Sequence, residues 1–345
     1  MKDNLDDFLC WAFFSKSPSD MLPLEQLELS RLYREVEAHL GFTFKSGRNH
    51  QIEAKRLTLE DVNALHRPLL VYIAVGFLRG IASVALWAMG FRRYSSINGP
   101  AYWHRPSAND SCGSHSPLLF FHGISPGGYV MYLPMVLWGL CNDGRAAFLF
   151  ENNPISCRPS FHADTEHHTV QVVVDAVNQH IGSNENVTIC GHSFGSCPMT
   201  WLIRSPEFIS RIQQIVLLDP VTIVLHEPDV IDNFIYGKRA SNNSIGSAVI
   251  RLAASSELFT NHYLRRHFAW YNSELWLEDI PPQARLTVCI AEKDDIINAK
   301  KVKVELDVHK QTCPHMSVIE WSGVGHGYCA TSPSAWAEIK ETMKM

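Results

Sequence analysis

The chain has 345 residues, 46% of them hydrophobic and 19% charged, which is enough for a globular domain with a sizeable core. Its formal net charge of −5 provides no basic field for nucleic acid, and we expect no nucleic-acid partner. The nine cysteines include no CxxC pair, which argues against a zinc site and indicates a reducing, intracellular compartment.

Residues 1–95 are predicted to form an N-terminal extension ahead of a larger domain at residues 96–345. Apolar residues recur with helical spacing from Leu24 to Leu40, and Gly41 follows as a stop signal. Residues 58–62 resemble a capped helix start that leads into a long apolar run. We therefore expect the extension to be helical.

The apolar run from Leu69 to Phe91 contains one charge, Arg79, and its length suits a membrane span. A central arginine costs about 2.5–3.5 kcal/mol on insertion scales, which so apolar a run offsets. Tyr72, Gly76, Arg79 and Ser83 share one helical face, a pattern that fits a helix lying at an interface or packed against protein. We predict membrane contact through residues 69–91. A docked or buried helix in a soluble cytoplasmic protein is the alternative.

Beyond residue 96, short apolar runs alternate with helical stretches. Strands are predicted at 101–103, 118–122, 146–150, 187–190, 215–218, 286–291 and 317–321, and helices at 165–181 and 333–343. This alternation predicts an α/β fold with a mostly parallel sheet and helices on both faces.

About sixty residues between Asp219 and Leu286 lack this alternation and are rich in aromatic side chains. So long a segment in a compact domain indicates an inserted cap rather than a loop. We place the cap at about residues 221–285.

The most informative motif is the run Gly191–Ser196, which reads Gly-His-Ser-Phe-Gly-Ser. It lies between an apolar strand run and a stretch that can continue as a helix. A Gly-x-Ser-x-Gly pattern in this position is typical of a nucleophile elbow, where the serine occupies a sharp, strained turn. Small neighbours allow the backbone to turn tightly. Ser193 is therefore the predicted nucleophile.

A serine hydroxyl needs a base, because it is a poor nucleophile at neutral pH. His326 follows the last predicted strand in a glycine-rich loop and is the predicted base. Asp294 follows the preceding predicted strand and is the predicted acid, consistent with the chain order serine, acid, histidine. Asp295 is adjacent but would point elsewhere if Asp294 points inward. Asp219 is a further candidate, although a turn residue before proline is its simpler interpretation.

Stabilising a developing oxyanion requires two backbone N–H donors. Phe194, directly after the nucleophile, is expected to supply one. Ile124 is expected to supply the other, from the loop His122–Gly128 that follows an early predicted strand. We interpret His122 and His192 as structural residues rather than catalytic ones. No cofactor and no metal is expected.

These residues resemble the α/β-hydrolase superfamily over about residues 96–345. The phrases Asn233–Tyr236, Arg266–Asn272 and Glu274–Trp276 in the cap are similar to fungal and algal lipase- or esterase-like members that carry an N-terminal hydrophobic extension. The resemblance implies an eight-stranded sheet, a cap between strands six and seven, and a Ser193–Asp294–His326 triad. It implies no particular substrate.

The sequence therefore predicts a serine hydrolase that cleaves a carboxylic ester through an acyl-enzyme on Ser193. The aromatic cap and the hydrophobic helix favour a small-molecule ester that is lipophilic, such as an acyl lipid. Two alternatives stay open. One is an acyltransferase that uses the same triad, and the other is a non-catalytic ligand-binding protein on a hydrolase scaffold.

Overall fold

An eight-stranded sheet forms the centre of the protein, in a computed structural model that describes residues 1–96, 99–108, 115–237, 254–311, 313 and 315–344. The strands lie in the order β1-β2-β4-β3-β5-β6-β7-β8. Pairing is antiparallel from β1 to β2 and from β2 to β4, and parallel throughout the rest. The predicted mostly parallel, eight-stranded sheet is confirmed. The strands are β1 Arg92–Tyr94, β2 Tyr102–Arg105, β3 Leu118–Phe121, β4 Ala147–Phe150, β5 Val187–His192, β6 Ile212–Leu218, β7 Arg285–Ala291 and β8 Met316–Trp321.

Helices flank the sheet and also build the N-terminal extension. The α-helices in the described part of the chain are α1 Lys2–Phe14, α2 Pro23–Leu40, α3 Leu69–Ala88, α4 Glu166–Ile181, α5 Ser196–Arg204, α6 Asp229–Phe234, α7 Leu258–Arg266, α8 Trp270–Ser273, α9 Ala299–Lys310, α10 Tyr328–Thr331 and α11 Pro333–Lys344. Shorter helical turns are the 3₁₀ turns Pro18–Asp20, Leu57–Leu59, Gly128–Val130, Ser193–Gly195, Ile209–Arg211 and Leu277–Asp279, and the π-helical turn Met135–Leu140.

The core lies on both faces of the sheet, because successive side chains of a strand point to opposite sides. In β3, Leu119 and Phe121 belong to a cluster with α4, α5 and α9. Leu118 and Phe120 belong to a second cluster with the π-helical turn and α11. The strand is therefore buried on both faces, as is usual in a parallel sheet covered by helices. The predicted placement of helices on both faces is confirmed.

The structure departs from the sequence predictions mainly where the extension meets the sheet. Strand β1 was not predicted, since Arg-Arg-Tyr forms no apolar run, and it lies within residues 1–95. The apolar run from Leu69 is helical only to Ala88, and Phe91 is fully buried in the core. Residues 58–62 do not begin a helix. Elsewhere the predicted elements end within three residues of the observed bounds.

The segment between β6 and β7 carries α6, α7 and α8, and part of the predicted cap, residues 238–253, lies outside the described residues. The extension packs directly against this segment. Trp11 and Leu57 share an apolar cluster with Phe268 and its neighbours. The carboxylate of Glu60 accepts hydrogen bonds from Tyr236 and Arg265. The extension and the cap therefore form one wall above the sheet.

Candidate active site

Ser193 occupies the sharp turn between β5 and α5 with a φ of +52°, a conformation that side-chain-bearing residues rarely adopt. The two motif glycines make the turn possible by leaving space. A Cβ on Gly195 would lie 2.1 Å from the carbonyl oxygen of Phe121, and one on Gly191 would lie 2.5 Å from Met199 Sδ. A larger residue at either position would push the turn away from β3 or α5.

The structure brings Ser193, His326 and Asp294 together in a hydrogen-bonded line. The Ser193 hydroxyl lies 2.8 Å from His326 Nε2, and His326 Nδ1 lies 2.6 Å from Asp294 Oδ2. A carboxylate only accepts, so Nδ1 carries the ring proton and Nε2 is free to accept from the serine. The other oxygen, Asp294 Oδ1, accepts from the backbone N–H groups of Ile296 and Ile297, each at 2.8 Å. Asp294 is thus held in place by its own loop.

The surrounding carboxylates stabilise the positive charge that the imidazole ring of His326 acquires when it takes up a proton. Burial alone would lower its pKa, but the carboxylate of Asp294, followed by Asp219 and Asp295, outweighs burial and raises the pKa to about 9. A base that gains a proton during catalysis benefits from carboxylates placed in this way.

Of the three candidate acids, Asp294 is the one that accepts from Nδ1 of the imidazole. Asp219 is fully buried and binds the backbone instead. Its Oδ1 accepts from the N–H of Ala291 at 2.8 Å, and its Oδ2 accepts from the N–H of Gly327 at 3.0 Å. Asp219 therefore ties the end of β7 to the loop that carries His326.

A second buried polar network, which the sequence did not predict, lies behind Ser193. Tyr132 Oη accepts from the N–H of Gly123 at 3.1 Å and shares a hydrogen bond with His192 Nδ1 at 2.7 Å. Nε2 of the same ring lies 3.8 Å from Asp219 Oδ2. Burial lowers the pKa of His192, which disfavours a positive charge on this ring. The network links the loop after β3 to the elbow, and no sequence signal marks Tyr132.

The two predicted oxyanion donors, Ile124 and Phe194, line the same cavity as Ser193. In the loop after β3, the N–H of Gly123 donates to Tyr132 and that of Ser125 donates to the Ile155 carbonyl at 3.0 Å. Ile124 lies between Gly123 and Ser125, whose N–H groups already donate to these partners. The role of its N–H as an oxyanion donor stays a prediction.

The cavity beside Ser193 has a volume of about 540 Å³ and is mainly apolar. Its walls come from three parts of the chain: the sheet edge, the cap and the N-terminal extension. The extension contributes the apolar Phe8, Trp11 and Leu57 and the charged Glu53 and Lys55. The cap contributes the apolar Ile231, Phe234, Ile235, Leu264, Phe268 and Trp270 and the charged Glu227 and Asp232.

Among the described residues, two groups of side chains bring possible metal ligands within 4.8 Å of one another, and both include Asp219. One adds His192 and Cys329, and the other adds Asp294 and His326. In both groups, each carboxylate oxygen already accepts a backbone or imidazole N–H. The carboxylate oxygens of both groups are therefore engaged by protein N–H groups.

In sequence, no protein-family model and no curated protein matches the chain. Among solved structures it is similar to a membrane phospholipase A described as a bacterial virulence factor, with a TM-score of 0.52 and 13% identity over 92% of this chain and 97% of that one. It is also similar to a putative hydrolase from Bacillus subtilis, with a TM-score of 0.51 and 14% identity over 78% and 96% of the two chains.

Identities this low concern the fold alone, and both neighbours are bacterial, so the likeness to fungal and algal lipases stays a prediction. The strand order and the serine turn between β5 and α5 agree with these similarities. The protein has the α/β-hydrolase fold.

Proposed function

We propose that the protein is a serine hydrolase that cleaves carboxylic esters through an acyl-enzyme on Ser193. The observation that carries this proposal is the continuous hydrogen-bonded line from Ser193 Oγ through His326 to Asp294, with separations of 2.8 and 2.6 Å. This is the arrangement that a nucleophile, a base and an orienting acid require.

In the first step His326 Nε2 takes the serine proton while Oγ forms a bond to the ester carbonyl carbon. The N–H groups of Ile124 and Phe194 donate to the oxyanion that develops. The imidazolium, stabilised by Asp294, then gives its proton to the leaving alcohol as the carbon–oxygen bond breaks. Water repeats the sequence on the acyl-enzyme, so that the acid is released and Ser193 is restored.

The lining of the cavity supports a lipophilic ester as the substrate. Aromatic and aliphatic side chains from the extension and the cap surround the space next to Ser193. A cavity of this character binds an acyl chain by burying its apolar surface, at about 25 cal/mol per Å². An acyl-lipid ester fits this description better than a small polar ester.

We further propose that the protein contacts a membrane through α3. Within the described residues it is the one helix long and apolar enough to span a membrane, with a mean hydropathy of 2.1. Its polar stripe faces the protein: Tyr72 Oη donates to Glu257 at 2.8 Å, and Arg79 Nη2 lies 3.7 Å from Glu151. Large apolar side chains cover its outer face, namely Leu69, Leu70, Val71, Ile73, Phe77, Leu78, Ile81, Val84 and Trp87.

These contacts support an orientation in which α3 lies along the membrane surface. The helix α3 is docked on the domain near its start, middle and end, through Tyr72, Arg79 and the buried Leu86. A docked helix cannot cross the bilayer unless the domain enters it too. Near the C-terminal end of α3, the guanidinium of Arg92 lies 5.4 Å from the centre of the Trp87 ring. Such a pair is suited to the headgroup region of a membrane.

The central test is labelling of the full-length protein with a fluorophosphonate, followed by assays on a panel of acyl esters. We expect one adduct on Ser193 and loss of both labelling and turnover in Ser193→Ala. The exposed Ser322 provides the matched control, and Ser322→Ala should label like the parent protein. An adduct that survives in Ser193→Ala contradicts the assignment of the nucleophile.

The same experiment separates the alternatives. Absence of any adduct on intact protein would favour a ligand-binding protein on this scaffold. If the protein is labelled and also forms a new ester when an acceptor alcohol is added, an acyltransferase is favoured. Cleavage of short polar esters in preference to long acyl esters would contradict the lipophilic substrate.

A further inference from the structure

A second cavity, of about 320 Å³, lies between α3 and the sheet domain, away from Ser193. It differs from the active-site cavity in its polar lining. Three arginines contribute to it: Arg79 from α3, Arg93 from β1 and Arg158 from the loop after β4. Its one carboxylate is that of Glu151.

The charges that line this cavity do not balance. Arg93 binds Glu151 through Nε and Nη2, at 3.0 and 2.9 Å, and so uses both oxygens of the carboxylate. Arg79 lies 3.7 Å from the same group, beyond a good hydrogen bond, and Arg158 donates to the neutral amide of Asn153 at 2.8 Å. Three guanidinium groups against one carboxylate leave a formal charge of +2 in the lining.

An excess of guanidinium groups in a partly enclosed space favours an anion with several acceptor oxygens. Phosphate meets this requirement, because the planar fork of arginine matches two phosphate oxygens at once. A carboxylate ligand would satisfy fewer of the available N–H groups. The chemistry of the lining therefore points to a phosphate-bearing ligand.

The position of the cavity indicates which kind of phosphate. Gly76 and Gly80 of α3 line it, are exposed, and have no atom within 4 Å of where a Cβ would lie. The residues that follow them, Phe77 and Ile81, are large, apolar and exposed on the outer face of the helix. The cavity therefore opens beside the apolar surface, so that one ligand can fill the first and lie along the second.

We infer that this cavity is a binding site for the phosphate of an anionic phospholipid, whose acyl chains lie along the outer face of α3. The inference rests on the proposed membrane contact of α3, but it does not depend on ester cleavage at Ser193. It would make α3 a helix that is anchored by a headgroup held beneath it as well as by its own apolar side chains.

The test is flotation of the full-length protein with vesicles of phosphatidylcholine alone or with added phosphatidic acid. Arg158→Gln removes an exposed guanidinium that has no bond to Glu151, and Arg34→Gln on α2 is the matched control. We expect phosphatidic acid to strengthen binding of the parent protein and Arg158→Gln to reduce that gain about fivefold. Binding to phosphatidylcholine alone, whose phosphate is balanced by its own choline cation, should change much less in Arg158→Gln and not at all in Arg34→Gln.

Thermal unfolding with added inorganic phosphate distinguishes a lipid site from a site for free phosphate. Stabilisation of the parent protein but not Arg158→Gln, with an unchanged preference for phosphatidic acid, would replace the headgroup by free phosphate. An equal gain from phosphatidic acid in Arg158→Gln and Arg34→Gln would overturn the lipid site. If none of the three proteins binds phosphatidylcholine vesicles, the membrane contact itself is refuted, whatever the esterase assays show.

Discussion

The carboxyl edge of the sheet and the N-terminal extension meet at the same cavity but are organised in opposite ways. At the edge, Ser193, Asp294 and His326 each follow a parallel strand within a few residues, so the strand register places them together. In the extension, α1 directs aromatic side chains inward, whereas α3 directs its polar stripe inward and its apolar face outward. The sheet thus sets the positions of the residues at its edge. Packing against the rest of the protein sets the positions of the helices in the extension.

This difference predicts two kinds of mutational effect. Changes at the edge alter the reacting groups and should lower turnover of every ester. Changes in the extension leave the reacting groups in place, so they should alter membrane binding or the choice of ester. A substitution in the extension that lowered turnover of all esters equally would break the comparison.

The largest effect is expected from Asp294→Asn. The amide cannot hold Nδ1 of His326 protonated in the same way, and we expect kcat to fall by roughly 10²- to 10⁴-fold for short and long esters alike. The pH profile should also move. The base acts in its neutral form, and Asp294 raises the pKa of His326, so its removal should shift the acidic limb of kcat/KM to lower pH.

The matched control for this variant is Asp295→Asn, which changes a neighbouring charge but leaves the hydrogen bond to Nδ1 intact. It should shift the limb in the same direction by less and retain most of the turnover. Rates measured with a soluble short-chain ester over a range of pH provide the comparison. A greater loss of turnover in Asp295→Asn than in Asp294→Asn would show that Asp294 is not the acid.

The edge of the sheet was predictable because its signals are local. An apolar run followed by glycine, aspartate or histidine identifies a strand end, and parallel strand ends share one edge of the sheet. Tyr132 gave no such signal. Its bonds to Gly123 and His192 join residues nine and sixty positions apart in the chain, and no pattern relates them. The network behind Ser193 therefore depends on the tertiary fold.

The extension was only partly predictable, for a related reason. The sequence identifies the polar stripe of α3 from its helical spacing, but spacing does not tell which side of the helix meets the protein. That choice is made by partners far along the chain, Glu257 for Tyr72 and Glu151 for Arg79. The contribution of α1 to the cavity is likewise a matter of docking.

The next largest effect is expected from Phe77→Ser on the outer face of α3. Phe77 is 70% exposed, so its replacement should leave the unfolding free energy nearly unchanged. Burial of a phenylalanine in the acyl region is worth about 1.5–3 kcal/mol, which predicts at least a tenfold weaker binding to phosphatidylcholine vesicles. Turnover of a soluble ester should be unaffected.

Val304 is an exposed apolar residue on α9 and provides the control for a general loss of surface hydrophobicity. Val304→Ser should bind vesicles like the parent protein. If both variants lose binding equally, α3 has no special role in it. If neither does, the outer face of α3 does not meet the membrane.

The smallest effect is expected from Phe8→Ala on α1, and it tests whether the extension selects the substrate. Phe8 lines the active-site cavity and is 43% exposed, whereas Phe13 on the same helix is 52% exposed and does not line that cavity. Removing Phe8 takes apolar surface from one wall, so kcat/KM for a long-chain ester should fall by roughly five- to tenfold. An acetyl ester, too short to reach that wall, should be cleaved as before. Phe13→Ala should change neither rate, since both variants lose the same side chain from α1 and differ only in contact with the cavity. Equal losses on both esters in Phe8→Ala would mean that α1 supports the reacting groups instead of the acyl chain, and the division between edge and extension would then fail at this helix.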